Sequence, residues 1–188
     1  MLYIPSAGSS CASLIGIDPG STCVGISIMK VDVVSELILS TFAYTLKLDR
    51  LGGSEWLGDL YGDRFRRIGN LKACLFQLFQ QENPLCITVE SPFFNQLRPQ
   101  AYGVLMEVMS GIREAVSSYD MWHVPYPIDP SSVKNAVGAG GGARKEVVHA
   151  MVLNLTDLNP LVDLRTLDEH AIDAIAVNYA RYRRLFGK

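Results

Sequence analysis

Two short, almost wholly apolar segments that each end in an acid constrain the fold most. Residues 13–18 read Ser-Leu-Ile-Gly-Ile-Asp before Pro19-Gly20, and residues 85–90 read Leu-Cys-Ile-Thr-Val-Glu. Apolar runs of this length are typical of strands buried on both faces, as in the parallel part of a sheet. A buried carboxylate without a partner costs several kcal/mol. We therefore expect neighbouring parallel strands, with Asp18 and Glu90 at one edge of the sheet.

The remaining apolar patterns predict the other elements of the fold. Val24 to Lys30 is the expected hairpin partner of the first strand, Val33 to about Thr45 is the expected third antiparallel strand, and Met121 to Pro125 is the expected fifth strand. Helical spacing predicts helices over residues 54–83, 99–119, 130–137, 144–155 and 167–186. This order predicts an α/β fold, a mixed five-stranded sheet of three antiparallel and then parallel strands, with helices on both faces.

Length and composition predict one soluble domain. A chain of 188 residues, 48% of them apolar, can bury one core but is short for two. We expect a loose leader over residues 1–12 and a single domain over residues 13–188. No apolar run reaches the roughly 18 residues of a membrane span. Four cysteines without Cys-x-x-Cys spacing favour a reducing cytoplasm. A net charge of -2 means that nucleic-acid binding would need local basic clusters.

The last helix adds two further candidates to the acids of the sheet. His170 and Asp173 are three residues apart and therefore share a helix face. Carboxylates with one imidazole suit Mg²⁺ or Mn²⁺. Two such ions about 3.5 to 4 Å apart can activate an attacking water and stabilise the leaving oxygen of a phosphodiester. The pattern therefore predicts a metal-dependent hydrolase that needs no protein nucleophile.

Each of these residues also has a purely structural interpretation. Asp18 before Pro-Gly is a common turn residue, and a single histidine such as His170 is more often packed or exposed than a ligand. Asp173 is harder to explain structurally, because it is flanked by Ala171, Ile172, Ala174, Ile175 and Ala176. Glu90 closes a buried strand, which favours a ligand or catalytic role.

Four segments together resemble RuvC-type Holliday junction resolvases of the RNase H-like superfamily, over about residues 14–180. These are Ile15-Gly-Ile-Asp-Pro-Gly-Ser-Thr-Cys-Val-Gly25, Thr88-Val-Glu-Ser-Pro-Phe-Phe94, the stretch from Val133-Lys134 through the glycines to Ala143-Arg-Lys-Glu-Val-Val148, and His170-Ala-Ile-Asp-Ala-Ile-Ala-Val177. The resemblance implies a crossover junction endodeoxyribonuclease that makes paired symmetric cuts in four-way DNA junctions, in recombination and repair.

The resemblance also implies roles for individual residues. It makes Asp18, Glu90, His170 and Asp173 catalytic ligands of Mg²⁺, with two ions per site and Mn²⁺ as a substitute. Lys134 and Lys145 would lie near the scissile phosphate. The implied DNA-binding residues are Phe93, Arg144 and the two lysines, with Phe93 opening the junction centre. The family often has Asp where His170 stands, so Asp168 and Glu169 remain alternatives; Glu169 shares the face of Asp173.

The implied assembly follows from the substrate. Two symmetric cuts call for a C₂ homodimer, and the apolar face of the helix over residues 99–119 is the predicted interface. The predicted partners are four-way or branched DNA, with recombination or branch-migration proteins as further candidates, and no membrane. The expected location is the cytoplasm of a bacterium or of a phage-infected host.

Two rival functions and two basic clusters remain open at this point. Gly16 to Thr22 also resembles the phosphate-binding hairpin of ATP-dependent sugar kinases, and a junction-binding protein without activity is the other alternative. The basic clusters are Arg64, Arg66 and Arg67, and Arg181, Arg183, Arg184 and Lys188. Each is by default a polar helix face, although one of them could guide a DNA arm.

Overall fold

The computed structural model describes residues 10–51, 55–93 and 99–188. The strands are β1 (Cys11–Asp18), β2 (Cys23–Asp32), β3 (Leu37–Lys47), β4 (Cys86–Glu90) and β5 (Tyr126–Ile128). They form one sheet in the order β3-β2-β1-β4-β5. β1 and β3 flank β2 as antiparallel neighbours, whereas β1–β4 and β4–β5 pair in parallel. The predicted mixed five-stranded sheet is confirmed.

Six α-helices accompany these strands in the described residues. They are α1 (Glu55–Tyr61), α2 (Asp63–Glu82), α3 (Pro99–Tyr119), α4 (Pro130–Ala136), α5 (Lys145–Leu153) and α6 (Glu169–Phe186), and a short 3₁₀ helix spans Leu164–Thr166. α2 and α3 pack on one face of the sheet around one core. α4, α5 and α6 cover the other face around a second core. None of the described helices is long and apolar enough to cross a bilayer.

Several element boundaries differ from the sequence-based expectations. β1 begins at Cys11 and Ala12 is buried, so the sheet already includes the last two residues assigned to the leader; residues 1–9 lie outside the described residues. The predicted long helix over residues 54–83 is divided into α1 and α2, because Gly62 has a positive φ of 88°. Ser54, its predicted cap, also lies outside the described residues.

The predictions for the third and fifth strands need correction. Residues 33–36 form a turn in which the Asp32 carboxylate accepts hydrogen bonds from the backbone amides of Val34 and Ser35, so β3 starts only at Leu37. The fifth strand is not Met121–Pro125. The side chain of Trp122 is 84% exposed and its amide donates to Asp120, so this segment is a loop, and β5 begins at Tyr126. The prediction of this strand rested on apolar composition alone, which gave the wrong position.

The predicted dimer surface on α3 is only partly open to a partner. Val108, Met109, Ile112 and Val116 are buried within the core that α2 and the sheet share, whereas Val104 and Leu105 are half-exposed. The helical spacing of the buried residues therefore reflects the chain's own core. Amphipathic spacing shows only that a helix face is covered and does not show by what.

Side-chain alternation along β1 and β4 sets the direction of the acids. Ile15 and Ile17 point into the core of α2 and α3, so Gly16 and Asp18 face the opposite side, where α6 lies. In β4, Ile87 and Val89 likewise face α2 and α3, which turns Glu90 towards α6. Both carboxylates consequently emerge on the α6 face of the sheet.

α6 approaches the sheet unusually closely at two glycines. A Cβ atom on Gly16 would lie 2.6 Å from the Cβ of Asn178, and one on Gly25 would lie 1.9 Å from the carbonyl oxygen of His170. The buried side-chain amide of Asn178 donates to the carbonyl oxygens of Leu14 and Ser27, at 3.0 and 3.1 Å. Glycines and one amide thus hold α6 directly against β1 and β2.

We predict that Gly25→Ala lowers the free energy of unfolding by about 1–3 kcal/mol or more, because the methyl group must displace the first turn of α6. Chemical denaturation would measure the loss. Gly69→Ala is the matched control: apart from the backbone of α2 itself, no atom of the described residues lies within 4 Å of its Cβ position, and we expect a gain of up to about 1 kcal/mol. Equal stabilities of the two variants would contradict this packing.

Candidate active site

Three carboxylates from distant parts of the chain line one cavity at the carboxyl ends of β1 and β4. Asp18, Glu90 and Asp173 border a cavity of about 230 Å³, together with Lys134 and Lys145. Ile17 of β1 pairs with Val89 of β4, so the two strands deliver Asp18 and Glu90 side by side. The structure therefore brings together five of the residues that the sequence singled out.

An N-terminal cap determines where α6 begins relative to this cavity. The carboxylate of Asp168 accepts a hydrogen bond from the Ala171 amide at 3.1 Å and another from the hydroxyl of Thr45 on β3. Burial alone would raise the pKa of Asp168, but these bonds hold it below its ordinary value. Asp168 thus has a structural task at the helix terminus, and it does not line the cavity.

The carboxylates repel one another within the partly buried cavity. Burial, followed by the charges of Asp18 and Asp173, raises the pKa of Glu90 to about 7. Burial and the charge of Asp18 also raise the pKa of Asp173. Like charges in a poorly solvated site disfavour ionisation. The cluster is therefore a place where bound positive charge is strongly stabilised.

Two basic side chains offset part of this negative charge. Nδ1 of His170 lies 3.1 Å from Oδ2 of Asp18, and this hydrogen bond raises the pKa of the imidazole. Nζ of Lys145 lies 3.4 Å from carboxylate oxygens of both Asp173 and Glu169. Burial would lower the pKa of Lys145, but these two acids raise it above its ordinary value. Both groups are thus favoured in their cationic forms.

The glycine-rich loop between α4 and α5 brings the two lysines to the same cavity. Nζ of Lys134 donates to the carbonyl oxygen of Ala143 at 2.7 Å. Gly138 and Gly140 have φ values of 82° and 80°, a region that favours glycine. The loop can therefore turn back on α4, so that Lys145 enters the cavity from the start of α5.

The donor chemistry of the cavity fits a hard divalent cation. Three carboxylates and the neighbouring imidazole of His170 are ligands that Mg²⁺ and Mn²⁺ accept. Within the described ranges, no three His, Cys, Asp or Glu side chains are already arranged as a closed metal cage. His170 contacts Asp18 and does not border the cavity itself. The fit therefore rests on the carboxylates and on the repulsion between them.

The remaining predicted DNA-binding residues lie around the cavity. Phe93 is three residues beyond Glu90 and its side chain is 75% exposed; Phe94 lies outside the described residues. Arg144 is exposed at the N-cap of α5, beside Lys145. Both positions leave the side chains accessible to a macromolecule bound at the cavity.

The sequence analysis missed two positions that shape the site. The carboxylate of Asp129 caps α4 and thereby positions the helix that carries Lys134; an Asp before Pro130 was the available signal. His149 lines a second cavity of about 240 Å³, which shares Lys145 and Asp173 with the first. Its spacing of four residues from Lys145 would have placed both on one face of α5.

A mixed sheet in this order, covered by helices on both faces and with acids at the ends of β1 and β4, defines an RNase H-like fold. No family model matches the chain. The crossover junction endodeoxyribonuclease RuvC of Thermus thermophilus is 26% identical over 172 residues, which are 90% of this chain and 94% of that protein.

Solved structures agree with this similarity. The structure of T. thermophilus RuvC covers 93% of this chain and 96% of its own, with a TM-score of 0.66 and 21% identity. RuvC in complex with a Holliday junction substrate gives a TM-score of 0.67 at 19% identity and the same coverage. The yeast mitochondrial Holliday junction resolvase Ydc2 gives 0.61 at 12% identity, covering 95% of this chain and 80% of its own. The predicted resemblance to RuvC-type proteins is confirmed.

We predict that the protein without divalent metal loses stability as the pH rises from about 4.5 to about 7. In this window the unfolded chain ionises Glu90 while the folded chain keeps its proton. The loss reaches about 3 kcal/mol above pH 7 and should be measured by denaturation in EDTA. Glu90→Gln should remove most of this dependence. A variant with the same pH profile as the wild type would refute the assignment.

Proposed function

We propose that the protein is a Holliday junction resolvase, a metal-dependent endonuclease that makes paired symmetric cuts in four-way DNA junctions. One observation carries the proposal. Three carboxylates and two lysines share a cavity at one edge of an RNase H-like sheet, in a chain similar to RuvC over 90% of its length. Carboxylates can bind the metal ions that hydrolyse phosphodiesters, and lysines can bind the phosphate of the substrate.

The acids would form the metal site. Asp18, Glu90 and Asp173, with His170 as a fourth ligand, would hold Mg²⁺ or Mn²⁺, and we propose two ions per site. When bound, the metal supplies activation of the attacking water and stabilisation of the leaving oxygen. Asp168, as the cap of α6, is a less suitable ligand than His170.

The lysines would bind the substrate. The Lys145 side chain is 65% exposed, and its ammonium spans Asp173 and Glu169 at 3.4 Å. It can therefore reach a phosphate oxygen while it stays close to the acids. Lys134 is fixed by the Ala143 carbonyl, so its charge orients the same phosphate from the α4 side. Arg144 and Phe93 would contact the DNA on either side of this point.

The proposed assembly is a homodimer, because two symmetric cuts need two identical sites. Since Val108, Met109, Ile112 and Val116 lie in the protein's own core, an interface on α3 would use its half-exposed apolar residues, such as Val104 and Leu105. We propose a cytoplasmic location in a bacterium or a phage-infected cell, with recombination or branch-migration proteins as further partners.

The structure argues against the sugar-kinase alternative. That chemistry needs two related domains around a nucleotide cleft, whereas the described residues build a single five-stranded sheet. A junction-binding protein without activity is disfavoured by the raised pKa values of Glu90 and Asp173. Such repulsion costs stability and is typical of functional sites. Cleavage of a labelled four-way junction decides between resolvase and binding protein.

We predict that Asp18→Asn, Glu90→Gln and Asp173→Asn each reduce junction cleavage by at least about a hundredfold, because each removes several kcal/mol of metal-dependent transition-state stabilisation. Junction affinity in EDTA should change little, since the neutral amides leave the DNA-binding side chains in place. Gel-based cleavage and binding assays measure both quantities.

Asp59→Asn is the matched control for these three variants. Asp59 is an exposed carboxylate on α1 outside the cavity, so its loss should leave cleavage unchanged. Within α6, His170→Ala should reduce cleavage more than Glu169→Gln. The reverse order would make Glu169 the better ligand candidate and would overturn the assignment of His170.

We predict that Phe93→Ala reduces cutting of fully paired junctions more than cutting of junctions with an unpaired base at the crossover. Opening a base pair costs a few kcal/mol, and stacking on an exposed aromatic offsets roughly 1–3 kcal/mol of it. A pre-opened substrate does not need this help. The ratio of single-turnover rates on the two substrates is the measurement.

Trp122→Ala is the control for the aromatic prediction. Trp122 is 84% exposed, but its loop precedes β5 and therefore lies at the sheet edge opposite the cavity. Its loss should leave the rate ratio unchanged. Equal losses on both substrates for Phe93→Ala, with a lower melting temperature, would show that Phe93 serves packing instead of junction opening.

A further inference from the structure

The two basic clusters differ in how their charges are balanced. In the α2 cluster, Arg64 forms an ion pair with Glu107 at 3.0 Å and Arg66 forms one with Asp63 at 3.1 Å, whereas Arg67 forms none with a described carboxylate. In the cluster at the end of α6, none of the four cations, Arg181, Arg183, Arg184 and Lys188, forms an ion pair with a described carboxylate. The Lys188 ammonium donates to the carbonyl oxygen of Glu36 and to the hydroxyl of Tyr182, which are neutral, so no described carboxylate side chain offsets the charge of this cluster.

This second cluster borders a groove between α4 and the end of α6. The groove has a volume of about 430 Å³, and its polar lining residues are Ser132, Asn135, Arg183, Arg184 and Lys188. Their arrangement combines three cations with hydroxyl and amide groups. Such a set of donors suits phosphate oxygens, because arginine presents several N–H groups in a fixed planar fork.

Neutral acceptors hold the two arginines in place. The guanidinium of Arg184 donates to the hydroxyls of Tyr126 at 3.0 Å and Ser132 at 2.7 Å. Arg183 donates to the carbonyl oxygen of Ala136 at 2.9 Å. These bonds orient the guanidinium groups without cancelling their charge, so less side-chain entropy is lost when an anion binds.

The groove is connected to the active-site cavity by the same two helices. On α4, Lys134 borders the cavity whereas Ser132 and Asn135 border the groove. On α6, Asp173 and Arg184 are eleven residues apart, which corresponds to about 16 Å along the axis. One strand of duplex DNA advances about 3.4 Å per phosphate, so this distance spans roughly five base pairs.

We propose that the groove lined by Arg183, Arg184, Lys188, Ser132 and Asn135 binds the phosphate backbone of a junction arm, about five base pairs from the cut. The contact is independent of base sequence, since these groups meet only the backbone. Its task is to hold one duplex arm while the cavity engages the scissile phosphate. This inference rests on the proposed resolvase function.

The first test is the salt dependence of junction binding by the whole 188-residue chain in EDTA. The double variant Arg184→Gln, Lys188→Gln should lower the slope of log K against log salt by about 1 to 2, since each lost phosphate contact removes about one unit. Affinity at 0.1 M salt should fall roughly five- to tenfold or more. The matched control is Arg113→Gln, an exposed arginine of α3 on the other face of the sheet, which should retain the wild-type slope.

The second test has the wild-type protein as its main arm, so that its main outcome does not depend on how the variant folds. Neutral methylphosphonates placed four to six nucleotides from the cut should weaken wild-type binding and leave the double variant unaffected. The proposed contact between the groove and the DNA backbone is refuted if wild-type binding is insensitive to these substitutions. It is also refuted if the double variant binds with the same salt dependence as Arg113→Gln. A wild-type protein that neither binds nor cuts junctions refutes the proposed function instead, so the two failures are distinguishable.

Discussion

The close contact between α6 and the β1–β2 pair is the constraint on which the rest of the structure depends. It requires Gly16 and Gly25, because any side chain there would collide with Asn178 or with the backbone of His170. The Asn178 amide then fixes the depth of the helix by bonding the carbonyls of Leu14 and Ser27. Without this approach, the His170 imidazole could not lie 3.1 Å from Asp18.

That packing creates an electrostatic conflict. The same geometry that gathers Asp18, Glu90 and Asp173 raises the pKa of Glu90 to about 7, which means that the folded chain resists full ionisation of its own site. Lys145 beside Asp173 and His170 beside Asp18 each offset part of this repulsion. The remaining negative charge favours a divalent cation over monovalent ones, because the Coulomb attraction grows with the ion's charge.

The sequence predicted the architecture well where local pattern and burial coincide. The two apolar runs that end in Asp18 and Glu90 gave the correct parallel pair, and helical spacing gave both ends of α3. It failed where burial is decided by distant partners. Met121 and Trp122 have strand-like composition but are exposed, and several apolar residues of α3 that were assigned to a partner are covered by α2 instead. The ion pair between Lys145 and Glu169 joins residues 24 positions apart, so no local pattern could reveal it.

One helix, α6, contributes side chains to both the active-site cavity and the basic groove. α6 carries carboxylates in its first turns and cations in its last turns, an order that suits the helix dipole at both ends. Negative Asp173 and positive Arg184 stand a fixed number of helical residues apart, so the separation between the acidic cavity and the groove cannot vary independently of the fold. Because Asn178 anchors the same helix between them, the interaction that assembles the acids also sets the position at which a duplex arm would meet positive charge.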